Sequence, residues 1–343
     1  MSSLEGYTVS VVGATGAVGR EMLRLLGASE FPIKEVQAVA SARSAGTKVH
    51  FREEEITVRE LDAHSFDGVD LALFSAGGGR SLEFAPIAVR AGCVVVDNSS
   101  AWRMDPSTPL VVPEVNAAAL RDHQGIIANP NCSTIQLVLP LQALAQVRTL
   151  RRVIISTYQS ASGAGQSGID ELHAGVRAAL DGRDVASQTF PRPLAYDCIP
   201  HIGDFQGDGY TTEEMKMTNE TRKILGLPNV AVSATCVRVP VIRGHLESVT
   251  VDMDAPISAA QARELFAAFD GLEVMDNPSE ASYPTARDCA ERKTTYVGRV
   301  REDNALPATL HFWVASDNLL KGAAWNAIQI AEDLHRGGLV RVP

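Results

Sequence analysis

Thr8 to Leu26 reads TVSVVGATGAVGREMLRLL, and its order decides the fold. Thr8–Val12 is a short run rich in β-branched residues, which predicts a strand. Gly13, Gly16 and Gly19 follow at once, and Arg20–Leu26 then carries apolar residues at helical spacing. Strand, glycine turn and helix in that order open a βαβ unit. The spacing is GxxGxxG, not GxGxxG, but the physics is shared. No side chain obstructs the tight turn, backbone can approach a pyrophosphate closely, and a helix N-terminus points at the anion. Gly13, Thr15, Gly16, Ala17 and Val18 are therefore candidate cofactor contacts; the alternative is a βα turn that holds no ligand.

Similar units follow. Val36–Ala40, Val69–Phe74 and Val94–Asp97 predict strands, and Ser81–Arg90 a helix. Alternating strands and helices imply a Rossmann-like, doubly wound parallel sheet in the α/β class. Ligands of such sheets sit at the carboxyl ends of the strands. The Gly- and Ser-rich turns at 41–44, 75–79 and 98–100 lie there, which adds Ser75, Ala76 and Gly77 as candidates. The second strand ends in Ser41-Ala-Arg43-Ser44, without the acid that usually holds a ribose 2′-hydroxyl. Arg43 can take a 2′-phosphate in a fork, with Ser41 and Ser44 donating, so NADP is the expected cofactor. The alternative is a solvated loop charge.

After residue 131 the pattern changes. Val153–Tyr158, Ala231–Val241, Glu247–Met253 and Ala308–Ala315 predict strands that alternate less regularly with helices, so a mixed sheet of α+β type is expected. Asn318–His335 has apolar residues at helical spacing and predicts a helix that returns to the first domain. The expected division is a cofactor domain over 1–131, joined by 318–343, and a catalytic domain over 132–317.

The 343 residues carry a formal net charge of -10, which repels phosphate backbones and disfavours nucleic acid as a partner. The polar stretch Met1–Gly6 shows no secretory signal, and no apolar run is long enough for a membrane span. The five cysteines, Cys93, Cys132, Cys198, Cys236 and Cys289, show no CxxC pair and no metal-ligand spacing. A reduced, cytoplasmic setting and no metal are expected.

Cys132 stands apart. In Asn129-Pro-Asn-Cys-Ser-Thr134 it follows a Pro-Asn turn and opens the helix-like run Thr134–Leu144, which Asn131 or Ser133 can cap. A helix N-terminus favours the thiolate, and its free N–H groups, with the Asn131 amide, can hold an oxyanion. Pro140 is expected to kink or shorten the helix. Cys93 and Cys236 sit in strand-like runs and read as small buried hydrophobes.

Taken in order, GATGAVG, SARS, SAGG, NPNCST, STYQSASGAG (156–165), EEMKMTNET (213–221), ATCVRVPVIRGH (234–245) and SDNLLKGAAWN (316–326) resemble the aspartate-semialdehyde dehydrogenase family, bacterial branch, over nearly the whole chain. The resemblance implies NADPH-dependent reduction of L-aspartyl 4-phosphate to aspartate 4-semialdehyde through a cysteine thioester, with release of phosphate. That step serves lysine, threonine, methionine and diaminopimelate synthesis. It implies a second domain that is both catalytic and dimerising, and assembly as dimers, in some cases tetramers. By the same resemblance Cys132 is the nucleophile, Gln159 orients the acyl group, Arg238 holds the α-carboxylate and His245 is the acid–base catalyst. Arg103 and Lys216 become phosphate-binding cations, Glu213 a partner of the substrate ammonium, and Ser162, Gly163 and Asn318 cofactor contacts near the nicotinamide. In 166–200 no role is assigned; Tyr196-Asp-Cys198 stands where such enzymes often carry an asparagine.

The residues support this in part without the resemblance. Arg238 lies in the apolar run CVRVPVI, where an unpaired charge is costly, so it needs an anion: a substrate, or an internal salt bridge. Of eight histidines, His245 alone sits beside such a strand, after Arg243-Gly244, although a lone histidine is more often structural. Arg103 follows Asn98-Ser-Ser-Ala-Trp102 at a strand end; Lys216 lies on a helix-like segment whose plainer reading is a solvated face. Two alternatives compete. One is the related N-acetyl-glutamyl-phosphate reductase, against which EEMKM and CVRVPVIRGH speak. The other is an idle NADP-binding paralogue, against which Cys132, Gln159, Arg238 and His245 speak.

Overall fold

The computed structural model describes residues 6–342; Met1–Glu5, part of the N-terminal stretch read above, and Pro343 lie outside the described residues. The chain divides into two compact units, one running to Pro130 and resuming at Ala323, the other Asn131–Gly322.

The first unit holds the strands Tyr7–Val12 (β1), Ile33–Ala40 (β2), the hairpin pair Lys48–Phe51 (β3) and Glu54–Thr57 (β4), Arg59–Glu60 (β5), Leu71–Phe74 (β6), Val94–Asp97 (β7) and Ile126–Ala128 (β8). Six of them form one sheet in the order β5-β2-β1-β6-β7-β8, every pair parallel. This is the doubly wound order, with its switch point between β1 and β6. A parallel sheet is covered on both faces, so its central strands are largely apolar, whereas the edge strand β5 is charged and exposed. Val11, Val12, Leu71, Leu73, Val94 and Val96 are all fully buried. The helix Ala17–Gly27 buries Met22, Leu23, Leu25 and Leu26 and packs against the helix Trp325–Arg336 of the same unit.

The second unit holds Leu150–Gln159 (β9), Ala231–Arg238 (β10), His245–Met253 (β11), Leu272–Val274 (β12), Thr295–Glu302 (β13) and Thr309–Ser316 (β14). The order is β10-β9-β11-β14-β13-β12, with β10/β9 and β12/β13 parallel and the rest antiparallel. Both the doubly wound sheet and the mixed sheet expected from the sequence are therefore present. Successive strand residues point to opposite faces. One face collects Gln159, Thr157, Ile155 and Val153 from β9 with His245, Glu247, Val249 and Val251 from β11, all buried. The helix Cys132–Ala145 packs against these two strands and the helix Thr212–Leu225 against β10.

Three local expectations need correction. The helix from Cys132 is not shortened at Pro140 but continues to Ala145. Residues 133–141 are all buried, and packing on every side outweighs the one N–H that proline lacks. β10 ends at Arg238 rather than Val241, because Pro240 cannot donate to a ladder. The last helix starts at Trp325, not Asn318; a π-helical turn at Leu320–Ala324 precedes it. Asp317 causes the delay: its Oδ1 accepts the N–H groups of Leu319 and Leu320, and its carbonyl accepts from Gly322, five residues on.

Candidate active site

In the first unit the glycine turn is shaped for an anion. Gly13 has φ +86, and a Cβ there would lie 2.3 Å from the Ser75 carbonyl oxygen. A Cβ at Gly19 would lie 2.2 Å from the Gly13 carbonyl, so this glycine lets helix and strand close up. Gly16 is the helix N-cap, and its side-chain space is nearly empty. No acid occupies the helix's first turn, so no carboxylate there competes with a bound phosphate for the N–H groups of Ala17 and Val18. Ser75, Ala76 and Gly77 lead from β6 into the helix Gly78–Arg90, with Gly77 at φ +84. The Thr15 hydroxyl donates to Ser44 Oγ at 3.3 Å, which joins this turn to the 3-10 turn Ala42–Ser44 that follows Ser41. Arg43 is exposed there. The cradle, the absent acid and the exposed arginine fit a nicotinamide dinucleotide with a 2′-phosphate. Arg103 belongs to this unit too. It is buried, its Nε donates to the Asn129 carbonyl at 3.0 Å and its Nη2 to the Asn98 carbonyl at 2.9 Å.

In the second unit Cys132 is the first residue of the buried helix Cys132–Ala145 and is itself half-buried. Asn131 caps that helix: its Oδ1 accepts from the N–H groups of Ser133 and Thr134. Its Nδ2 donates to Glu213 Oε1 at 2.8 Å, so the amide is already engaged on both sides. Its own N–H donates to Glu220 Oε2 at 2.7 Å, which pins the turn before Cys132. Gln159, at the end of β9, donates to Ser133 Oγ at 2.6 Å and reaches Glu213 Oε1 at 3.4 Å. Glu213 Oε2 holds Lys216 at 3.0 Å, an i,i+3 pair on one helix with the lysine about one-third exposed. Lys216 is thus neither a free cation nor on a wholly solvated face.

Arg238 and Gln159 are register partners on β10 and β9. The Arg238 Nη1 donates to the Ser160 carbonyl at 2.7 Å, and the guanidinium lies over the Phe190 ring at 5.8 Å. Among the described residues it forms no ion pair, so the internal salt bridge considered above is not made. Burial lowers its pKa, Glu213 opposing. His245, at the start of β11, is fully buried; its Nδ1 accepts from the Ser160 N–H at 3.1 Å. Burial first, and then Arg238, push its pKa down to about 3. Asn318 Oδ1 accepts from the hydroxyls of Ser160 and Ser162 and from the Gly244 N–H. A Cβ on Gly163 would fall 2.7 Å from Arg238 Nη1 and 3.2 Å from His245 Nε2. Ser162, Gly163 and Asn318 thus surround the His245–Arg238 pair.

Sequence reasoning did not single out Ser160, Phe190, Glu220 or Gly322, and it offered Ser133 only as a helix cap, not as the partner of Gln159. A Cβ on Gly322 would lie 3.0 Å from Cys132 Cβ, so glycine lets the π turn pass the nucleophile. Of these, Ser160, Glu220 and Gly322 lay inside quoted motifs without being picked out, and Phe190 lay outside them. Among the described residues no group of three or more His, Cys, Asp or Glu could hold a metal, and no helix is long and apolar enough to cross a membrane.

Two family models match the chain: semialdehyde dehydrogenase, NAD binding domain, over residues 8–123, and semialdehyde dehydrogenase, dimerisation domain, over residues 141–321. A relative from Bacillus subtilis (strain 168), aspartate-semialdehyde dehydrogenase, is 47% identical over 343 residues, 98% of this chain and 99% of the relative. The crystal structure of aspartate semialdehyde dehydrogenase II complexed with ASA from Vibrio cholerae superposes with TM-score 0.94 at 45% identity, covering 96% of this chain and 98% of that one. Aspartate semialdehyde dehydrogenase with NADP from Candida albicans superposes with TM-score 0.76 at 26% identity, covering 97% and 99%.

Proposed function

The chain belongs to the aspartate-semialdehyde dehydrogenase family, and from that premise we propose how its residues share the work. The reaction is the NADPH-dependent reduction of L-aspartyl 4-phosphate to L-aspartate 4-semialdehyde, a step of amino-acid biosynthesis. Bound NADPH supplies the hydride. Gly13, Thr15, Gly16, Ala17, Val18, Ser75, Ala76 and Gly77 would hold the pyrophosphate, and Ser41, Arg43 and Ser44 the 2′-phosphate.

The observation that carries the catalytic reading is Cys132 at the N-terminus of a buried helix, its two chain neighbours tied to Glu213 and Gln159. The positive end of the helix dipole favours the thiolate. Cys132 attacks the acyl phosphate, and Gln159, fixed by Ser133, orients the acyl group. Arg238, buried and in no ion pair among the described residues, takes the α-carboxylate in a bidentate fork. The Glu213–Lys216 pair neutralises both groups until the substrate offers partners of opposite sign. Glu213 then turns to the ammonium and Lys216 to the phosphate, with Arg103 as the second phosphate cation. His245 serves the acyl oxygen. Ser162 and Asn318 hold the hydrogen-bond network behind it, and Gly163 leaves the space open. Five free cysteines, one of them the working thiol, suit the reducing cytoplasm.

Phosphate separates this chemistry from aldehyde oxidation by water. Oxidation of aspartate semialdehyde should require inorganic phosphate, and arsenate should replace it. Arg103→Leu and Lys216→Leu should each raise the Michaelis constant for phosphate more than that for NADP. Sustained NADPH formation at full rate in phosphate-free buffer would overturn the assignment of these cations.

A further inference from the structure

Among the described residues, 181–198 hold no helix or strand, and no backbone N–H or carbonyl of 184–193 pairs with another backbone group. A loop that long without structure of its own is uncommon in a compact domain outside binding segments. Three residues of the helix Gly165–Leu180 hold it in place. Glu171 is the polar one. Its Oε2 accepts from the N–H of Gln188 at 2.9 Å and from that of Thr189, and its Oε1 from the N–H of Phe190 at 3.3 Å. Three consecutive N–H groups thus share one carboxylate. Burial raises the Glu171 pKa, but these bonds outweigh it and hold the carboxyl below its usual range. Gly168 and Gly175 are the other two. A Cβ on Gly168 would lie 3.0 Å from Phe190 Cζ, and one on Gly175 3.1 Å from Val185 Cγ1. Positions 168, 171 and 175 follow helical spacing, so one face carries both hollows and the anchor.

The segment so held serves Arg238. Phe190 is buried in a cluster with Leu172, Leu194 and Ile199, and the Arg238 guanidinium sits over its ring, 5.8 Å from the centroid. Ile199, just past the far end of the loop, exchanges both backbone hydrogen bonds with Arg238, at 2.8 and 2.9 Å. Backbone and side chain of Arg238 are therefore held by one segment. A guanidinium donates from its edge, in its own plane. A ring over its face fixes that plane and leaves the edge free, which is what a bidentate grip on a carboxylate requires.

We propose, on the reaction assigned above, that 181–198 is a substrate-specificity loop: Phe190 aims the Arg238 fork at the α-carboxylate, and Glu171 is the positioning residue that holds Phe190 there. Glu171 acts only through the loop, so its effect and that of Phe190 are one effect.

Two variants and their combination test this. Phe190→Leu keeps an apolar side chain but loses the ring. It should raise the Michaelis constant for aspartate semialdehyde roughly two- to thirtyfold, the range of a contact between a cation and an aromatic face. The constants for NADP and phosphate, and kcat, should stay near those of the wild type. Glu171→Ala should raise the same constant. It should also let the amides of 188–190 exchange with deuterium faster, while those of β9 and β10 stay protected. The double variant should be no worse than the poorer single one, because both act through the same contact. Additive losses, a fall in kcat without a change in KM, or wild-type constants in Phe190→Leu would overturn the proposal, as would wild-type exchange in Glu171→Ala. If the wild-type protein forms no NADPH from aspartate semialdehyde and phosphate, the reaction assignment fails and the aim of Arg238 with it, whereas amide exchange still decides whether Glu171 holds the loop.

Discussion

Cys132 differs from the other four cysteines only in its surroundings. Cys93, Cys236 and Cys289 are buried, and burial pushes their thiols up, that of Cys289 to about 12. Cys198 is exposed but lies in a loop, at no helix N-terminus. Cys132→Ala should therefore abolish turnover and leave NADP binding intact, whereas Cys198→Ser should stay active; nucleotide titration and a turnover assay on both variants decide this, and an active alanine variant would end the thioester mechanism. Arg43 poses the other question at this scale. A charge-assisted contact of ~1.5–3 kcal/mol corresponds to roughly ten- to a hundredfold in cofactor preference. Arg43→Ala should shrink the preference for NADP over NAD by that factor, measured as the ratio of kcat/KM values. Equal use of both cofactors by the wild type would refute the role. Such residues are legible in sequence because each is chemically out of place: an arginine in an apolar strand, a thiol after Pro-Asn, a basic residue where an acid is usual. Ser160 and Gly322 carry no such signal. One acts through its backbone N–H and carbonyl, the other through having no side chain, and neither role shows in a residue type.

At the scale of the element, strand alternation explains both the site and a buried liability beneath it. Gln159, Arg238 and His245 form one row on the inner face of the mixed sheet, and Thr157, Cys236 and Glu247 form the row behind it. Glu247 is fully buried, and among the described residues neither its oxygens nor the Gln136 amide meets hydrogen-bond geometry with a partner. Burial raises its pKa well above 4.5, the Gln136 side chain opposing. The folded state then keeps a proton that the unfolded state releases, so stability is lost as pH rises from the unfolded value toward the folded one. The slope over that window is about 1.4 kcal/mol per pH unit. Glu247→Gln removes this term and should raise Tm more at pH 8 than at pH 5 in paired melts; an equal shift at both would mean that Glu247 is ionised in the fold. The strand cores and the first helix were legible because their periodicity is strong. Element ends were not, because they depend on single backbone groups: the missing N–H of Pro240 and the carbonyl and carboxylate of Asp317. Residues 166–200 were opaque for another reason. Phe190 supports Arg238 from a loop, packed with Leu172, Leu194 and Ile199, and a loop has no period to read.

For the whole molecule, the second unit covers one side of its sheet only in part: the short helix Ala286–Cys289 packs against β14 beside Leu246, and Trp313 Nε1 donates to the Pro284 carbonyl at 3.0 Å. The helices Cys132–Ala145 and Thr212–Leu225 cover the catalytic side. On the other, Ile154, Ser156 and Tyr158 from β9, Leu246 and Ser248 from β11 and Trp313 from β14 are half-buried or exposed, with Ile154 at 40%. Tyr158 and Trp313 lie 5.2 Å apart, ring to ring, in the middle of this face. Antiparallel sheets do leave one face to water, but then alternate apolar-in with polar-out, and here the outward positions include a tryptophan, a tyrosine, a leucine and an isoleucine. The family model that covers this unit is described as a dimerisation domain. A second copy is the partner that fits. In a twofold pair each patch meets itself, so a strand near the axis faces its own mate and a single substitution acts twice. Ser248 sits at the centre, opposite Ser156 on one side and Trp313 on the other. Ser248→Glu would bring two like charges together in a desolvated contact, where repulsion is strong, yet in an isolated chain it would place one carboxylate at a half-exposed position at little cost. Sedimentation should therefore show the wild type as a dimer or larger and Ser248→Glu shifted toward monomer, with circular dichroism unchanged. A variant that keeps the wild-type mass at micromolar concentration would place self-association on another surface.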